Sequence, residues 1–207
     1  MTRKVMPLIL LELRLHAPFT VLGALTGIAI LLLVIVVDIP AIMSDATFHV
    51  LHPAHVALSA FVTAAMFRRY RKNMWLSIFV VLIGSVLLGT LSDILMPYLG
   101  AALIGLQIPE GLHIAALEEP LIIFGAAAFG IVIGTLWPHT KVPHSLHVLV
   151  STYASLFYLI AFSNITNWLF ALPFVFVILF AAVWVPCCLS DIAFPLCFVK
   201  EAPPHSH

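Results

Sequence analysis

The chain has 207 residues, 63% of them hydrophobic and 9% charged, with no formal net charge and a mean hydropathy of +1.16. Soluble domains run at about 45–50% apolar and about 25% charged, so a water-soluble globule is excluded and an integral membrane protein is indicated. Nucleic-acid binding is excluded as well, because the nine basic residues fall in short groups beside apolar runs and form no basic patch.

Residues 1–16 carry Glu12, Arg14 and His16 within an apolar stretch and read as an interfacial helix leading into the first span. Six spans follow, at about 18–38, 50–67, 74–95, 115–137, 144–163 and 168–187, each of a length that crosses a bilayer. Hydrocarbon offers the backbone no water, so each span must be a helix. The runs lack the period-2 alternation of a membrane barrel strand. The first run is too long for a secretory h-region and is read as an uncleaved span.

Orientation follows from the basic residues. Arg3, Lys4 and Arg14 precede span one; Arg68, Arg69, Arg71 and Lys72 lie between spans two and three; Lys141 lies between four and five; Lys200 follows six. All fall on one side. The opposite loops, 39–49, 96–112 and 164–167, hold none. Both termini are therefore expected in the cytoplasm and the chain in the plasma (cytoplasmic, or inner) membrane. Proline removes a backbone donor and clashes with the preceding turn. Span three is accordingly expected to break near Pro97, and span six near Pro186 or Pro195.

The two halves echo one another. Leu91-Ser92-Asp93-Ile94-Leu95-Met96-Pro97 returns as Leu189-Ser190-Asp191-Ile192-Ala193-Phe194-Pro195, 98 residues on. His52-Pro53-Ala54-His55-Val56 returns as His144-Ser145-Leu146-His147-Val148, 92 residues on. More weakly, Pro18 and Gly23 align with Pro120 and Gly125, at 102. Each match pairs span n with span n+3, and three spans is an odd number. The expectation is an all-α membrane protein of six helices in a 3+3 inverted-topology repeat, with halves 1–110 and 111–207. Transporters often use this plan. The small residues of Gly125–Gly130 allow close helix packing, within the chain or in a homo-oligomer.

The chemistry-bearing residues group by this topology. An outer cluster would hold His52, His55, Asp93, His113, Glu118 and Glu119. The two imidazoles share a helix face at i, i+3, and Pro53 suits a first helical turn. An inner cluster would hold His144, His147, Cys187, Cys188 and Asp191. Carboxylates in a span are costly unless paired or wetted. Imidazole with carboxylate suits a borderline divalent ion such as zinc, iron, cobalt, nickel or manganese, and thiol tilts a site toward softer metals. The plainer readings are interfacial histidines, His–Glu pairs joining helices, and cysteines as small buried hydrophobes.

The leading expectation is a transporter or channel for a divalent transition-metal ion, with one aspartate at each entrance. The alternatives are a membrane-embedded metal-dependent hydrolase and, behind it, a haem-binding electron-transfer subunit. Neither His-Glu-x-x-His nor Gly-x-Ser-x-Gly is present for the former, and no Cys-x-x-Cys-His for the latter.

Overall fold

A computed structural model describes residues 2–70, 74–106, 108–109, 111–137, 141–163 and 168–188. Among these it holds seven helices and no strand. They are α1 (Thr2–Val37), α2 (Ala41–Tyr70), α3 (Met74–Thr90 continuing through Leu91–Leu95 and Met96–Leu103), the short α4 (Ala115–Glu118), α5 (Pro120–Leu136), α6 (Lys141–Phe162) and α7 (Trp168–Cys188).

The sequence places a loop at 39–49, but the link between α1 and α2 is far shorter. Asp38 takes a left-handed conformation, φ 56°. Its N–H donates to Ile35 O, and the Ile39 N–H donates to Val34 O. That double bond pattern ends a helix within two residues. Pro40 then starts the next helix, its carbonyl accepting from the Met43 and Ser44 N–H groups. Pro53 is consequently an interior residue of α2, not a residue of its first turn.

The expected break at Pro97 is also absent. α3 passes through Pro97 to Leu103 by means of one π-helical turn, Leu91–Leu95, closed by the Met96 N–H on Leu91 O. A π turn is one of the usual ways in which a helix absorbs a local misfit. Here the misfit is the proline ring, which in a plain α-helix would press on the carbonyl of Asp93, four residues earlier. Likewise α7 contains both Pro173 and Pro186 and runs to Cys188. Pro195 lies outside the described residues.

The start of the fourth span is where a helix does break. α4 ends at Glu118, and Glu119 (φ −129°, ψ 57°) separates it from α5, which opens on Pro120. Proline suits that first position, where no intrahelical donor is needed.

Three stretches are long and apolar enough to cross a membrane: Ala17–Val37, Ala41–Ala65 and Ile78–Leu103. Pro120–Leu136, Leu146–Phe162 and Phe170–Pro186 are shorter apolar helices. Large apolar side chains cover the outside, among them Leu22, Leu33, Leu87, Leu121, Phe129 and Phe170, as a surface in contact with lipid requires.

Two cores organise the interior. One joins α2, α3 and α5 with Tyr158 of α6, around Phe48, Val56, Phe67, Val81, Ile94 and Ile123. The other joins α6, α7 and α1 with Ala101 of α3, around Leu31, Leu156, Leu159, Val175 and Leu179. Close approach is set by small residues. On α1, a Cβ at Gly23 would lie 3.1 Å from Thr152 Oγ1, and one at Gly27 would lie 3.3 Å from Leu179 Cδ1. On α5, a Cβ at Gly130 or Gly134 would strike the carbonyl oxygen of Ala57 or Phe61. Gly125, expected to assist packing, faces open space.

Candidate metal centre

α2, α3 and α6 pack against one another, and their polar side chains meet in one place. His52 and His55 project from α2, one turn apart on one face. At about 1.5 Å per residue they lie about 16 and about 21 Å from the helix start at Ala41, midway along the apolar stretch Ala41–Ala65. Starting α2 at Ala41 thus moves the pair from the expected outer end to the middle of the span.

Asp93 sits on the π turn of α3. Its carboxylate is fully buried and each oxygen takes two donors. The Nδ1 atoms of His52 and His55 donate to Oδ2 at 2.8 and 2.6 Å. The hydroxyls of Ser92 and Ser151 donate to Oδ1, both at 2.8 Å. A carboxylate at this depth is tolerated only when so paired. Because each imidazole gives its Nδ1 proton to Asp93, its remaining lone pair lies on Nε2 when the ring is neutral. The Nε2 of His52 is buried with no hydrogen-bond partner.

The π turn extends the polar set. Met96 N–H goes to Leu91 O and Pro97 has no N–H, so the backbone provides no ladder donor for Ser92 O. The hydroxyl of Ser155 fills that place at 3.1 Å, while also touching Ser151 O at 2.9 Å. α6 therefore holds α3 by two serines one turn apart, one on the carboxylate and one on the carbonyl beside it. Gly89 lets α3 approach α2: a Cβ there would be 2.9 Å from Val56 Cγ2 and 3.8 Å from His52 Cε1. Phe48 stacks on His52, centroids 5.4 Å apart and planes 13° from parallel, which fixes the ring.

His52, His55 and Asp93 are the one group of potential metal ligands among the described residues, with ligand atoms all within 4.8 Å of one another. The other expected residues are distributed differently. His147, expected in a separate inner cluster, is fully buried with its ring 4.6 Å from that of His55. The expected separation of the two histidine pairs by the thickness of the membrane therefore does not hold for His147. His113 and Glu118 form their own pair at 3.3 Å, with His113 stacked on Phe162 at 4.5 Å. Glu118 is exposed and Glu119 half-buried, so neither carboxylate joins Asp93. His144 belongs to α6, and Cys187 and Cys188 to the last turn of α7, but their side chains are not among those described. Asp191 lies outside the described residues. The residues that sequence reasoning passes over are Phe48, Ser92, Ser151 and Ser155. The signal for two of them is present: His147, Ser151 and Ser155 recur at i, i+4, i+8, which is one face of a helix.

Comparison with protein-family models, with curated proteins and with solved structures finds nothing that matches this chain.

Proposed function

We propose that the protein is a membrane transporter for a divalent transition-metal ion, with His52, His55 and Asp93 as its intramembrane site. The single observation that carries this reading is the buried convergence of two imidazoles and a carboxylate within 4.8 Å, inside apolar helices. Imidazole and carboxylate together suit a borderline ion such as zinc, iron, cobalt, nickel or manganese.

The distances supply a mechanism. Nδ1 and Oδ2 now stand 2.8 and 2.6 Å apart with a proton between them. A tetrahedral ion holds nitrogen and oxygen ligands at about 2.0–2.1 Å, which separates them by about 3.3 Å. An ion held by these same atoms would have to open the group by about half an ångström, and each neutral imidazole would have to pass to its Nε2–H tautomer, its proton leaving Nδ1 as Nε2 gains one. The site therefore has a proton-held form and an ion-held form that exclude each other, and that exclusion fits a carrier better than an open pore. His147, beside His55, offers a next imidazole along the path.

The packing supports an inverted repeat as the scaffold. The core of α2 and α3 is completed by α5, and the core of α6 and α7 is completed by α1. Each half thus lends its first helix to the other. Gly23 meets α6 at Leu149 and Thr152, and Gly27 meets Leu179 of α7 and then Thr152 and Leu156 of α6, whereas Gly130 meets α2 at Ala57 and Ala60. Leu149 and Ala57, like Thr152 and Ala60, are 92 residues apart, the separation of the two His-x-x-His motifs. The first and fourth spans then align through Gly-x-x-x-Gly, Gly23/Gly27 with Gly130/Gly134 at 107 residues, in place of Gly23 with Gly125.

The test is uptake of Zn²⁺, Mn²⁺ or Co²⁺ into proteoliposomes loaded with an ion-sensitive dye. Wild-type protein is expected to accumulate at least one of these ions, and the Asp93→Asn and His52→Ala/His55→Ala variants to lose that uptake. Uptake that persists unchanged in Asp93→Asn removes the site from the pathway and overturns the assignment.

A further inference from the structure

Three polar atoms on or against α2 are buried with no hydrogen-bond partner: Ser44 Oγ, His52 Nε2 and the Tyr158 hydroxyl. Buried polar groups ordinarily have one, and a seam that only packed helices together would be less costly with apolar side chains there. Ser44, Phe48 and His52 recur at i, i+4 and i+8, so they share one face of α2. About 12 Å of helix separates the first from the last. Tyr158 of α6 meets that face at its middle, its ring edge-on to Phe48 with centroids 5.4 Å apart. The orphaned atoms are thus grouped around a single aromatic side chain, and the innermost, His52 Nε2, belongs to the metal centre.

The line leads to one end of the helix bundle. Phe48 and Phe162 of α6 close it in edge contact at 5.7 Å, with Tyr158 against Phe162 at 5.0 Å. Each phenyl ring is also touched by an imidazole that is paired with a carboxylate. His49 lies edge-on to Phe48 at 5.3 Å, and its Nδ1 is 3.1 Å from Asp45. His113 stacks on Phe162 at 4.5 Å, and its Nδ1 is 3.3 Å from Glu118. Unlike Asp93, both of these carboxylates reach the surface, with 43% and 44% of the side chain exposed. Residues 38–49 and 96–119 contain no Lys or Arg. An entrance of one sign of charge gathers ions of the other, and this one gathers cations.

We propose that this line is the passage by which a cation reaches the mid-membrane site. Asp45 with His49 and Glu118 with His113 form its mouth. Ser44 Oγ and the Tyr158 hydroxyl replace part of the water shell of the ion on the way in, and His52 Nε2 is the first atom of the metal centre that it meets. Phe48 and Phe162 are the closure. One is on α2 and the other on α6, so the passage opens as those two helices part. The mouth takes a hydrated divalent cation that accepts carboxylate oxygen and imidazole nitrogen. That cargo rests on the transport reading; the passage itself does not.

The passage is tested without metal. Ser44→Cys is built with the three native cysteines changed to serine, and its reaction with a cationic, water-soluble methanethiosulfonate is timed by mass spectrometry in detergent-purified protein. Ala60→Cys, at a fully buried position of the apolar core, is the control. A thiol reacts only where water and reagent reach it, so Ser44→Cys should react at least about 10-fold faster than Ala60→Cys, and Phe162→Ala should speed it by a further factor of about 3 or more. Labelling no faster than the control, or unmoved by Phe162→Ala, overturns the passage. If Ser44→Cys does not fold, Ser44→Ala and Tyr158→Phe decide it in the otherwise unaltered chain. Their thermal midpoints should not exceed that of the wild type, because the hydroxyls serve water; a rise in either marks a hydroxyl orphaned in dry surroundings and rejects the passage. Glu118→Gln should slow Co²⁺ association in stopped flow by about 2-fold or more, and an unaltered rate overturns the mouth. A protein that labels as expected but binds no ion would sink the transport reading alone.

Discussion

Removing one hydroxyl tests whether Asp93 is the charged centre of the site. Ser151 and Ser155 stand one turn apart on α6, are equally buried, and each donates one hydrogen bond to the π turn of α3. They differ in the acceptor: Ser151 serves the Asp93 carboxylate at 2.8 Å, Ser155 the Ser92 carbonyl at 3.1 Å. A hydrogen bond to an ionised group contributes about 1.5–3 kcal/mol, against about 0.5–1.5 kcal/mol for a neutral pair. Neutral side-chain bonds between membrane helices average only about 0.6 kcal/mol. Ser151→Ala leaves Oδ1 with Ser92 alone, so it should cost about 1.5–3 kcal/mol. Ser155→Ala leaves a neutral carbonyl short of a donor, so it should cost about 1 kcal/mol or less. Both substitutions remove the same atom, so cavity terms cancel in the comparison. Reversible unfolding in mixed detergent–SDS micelles, followed by far-ultraviolet circular dichroism, measures both. Equal costs for the two variants would mean that Asp93 carries no charge, and the site would lose the group that attracts a cation.

Other consequences can be measured on the same protein. Asp93→Asn should weaken metal binding by more than 100-fold in isothermal titration, because groups that merely orient a ligand contribute about 10–100-fold; a smaller loss would make Asp93 an orienting residue. Metal affinity should fall as the pH is lowered, because a proton and an ion compete for the same imidazole lone pair. Isothermal titration over a falling series of pH values should show progressively weaker binding, and an affinity that does not change with pH would remove imidazole from the ligand set. Gly130→Ala should lower the thermal midpoint, its Cβ meeting the Ala57 carbonyl at an overpacking cost of about 1–3 kcal/mol. Gly125→Ala, in open space, should be neutral or stabilising by up to about 1 kcal/mol; the reverse order would mean that α5 does not pack on α2 through Gly130.

The helical membrane character was legible because it depends on little besides apolar length, and apolar runs dominate the chain. What composition did not carry was where helices stop. Asp38-Ile39-Pro40 ends one helix and starts another in a three-residue link, through a left-handed residue and two backbone bonds. A proline count alone points the other way at Pro97, because the same residue type that ends α-helices can follow a π turn and sit within a continuous helix. Nothing in the local sequence distinguishes the two outcomes. They differ in whether a neighbour supplies the missing donor, and here Ser155, distant in sequence, does so. The pairing of α1 with α6, through Gly23 and Thr152, is equally non-local.

The helix start decides the meaning of the site. Spacing alone placed His52 and His55 on one face of a helix, and Asp93 at the end of the next. Depth was a separate inference, drawn from reading Pro53 as a helix start, and it led to one aspartate at each membrane face. With α2 beginning at Ala41, the same residues fall in the middle of the apolar stretch, and His147 arrives beside them. A cation site at that depth cannot act as a mouth that gathers ions from one side. The His52, His55 and Asp93 group is buried, has His147 beside His55, and is held by side chains of α2, α3 and α6. Such a site can exchange its occupant only if the helices around it move. The bonds that must give way first join separate helices: Ser151 to Asp93, Ser155 to Ser92 O, and Asp93 to the two histidines.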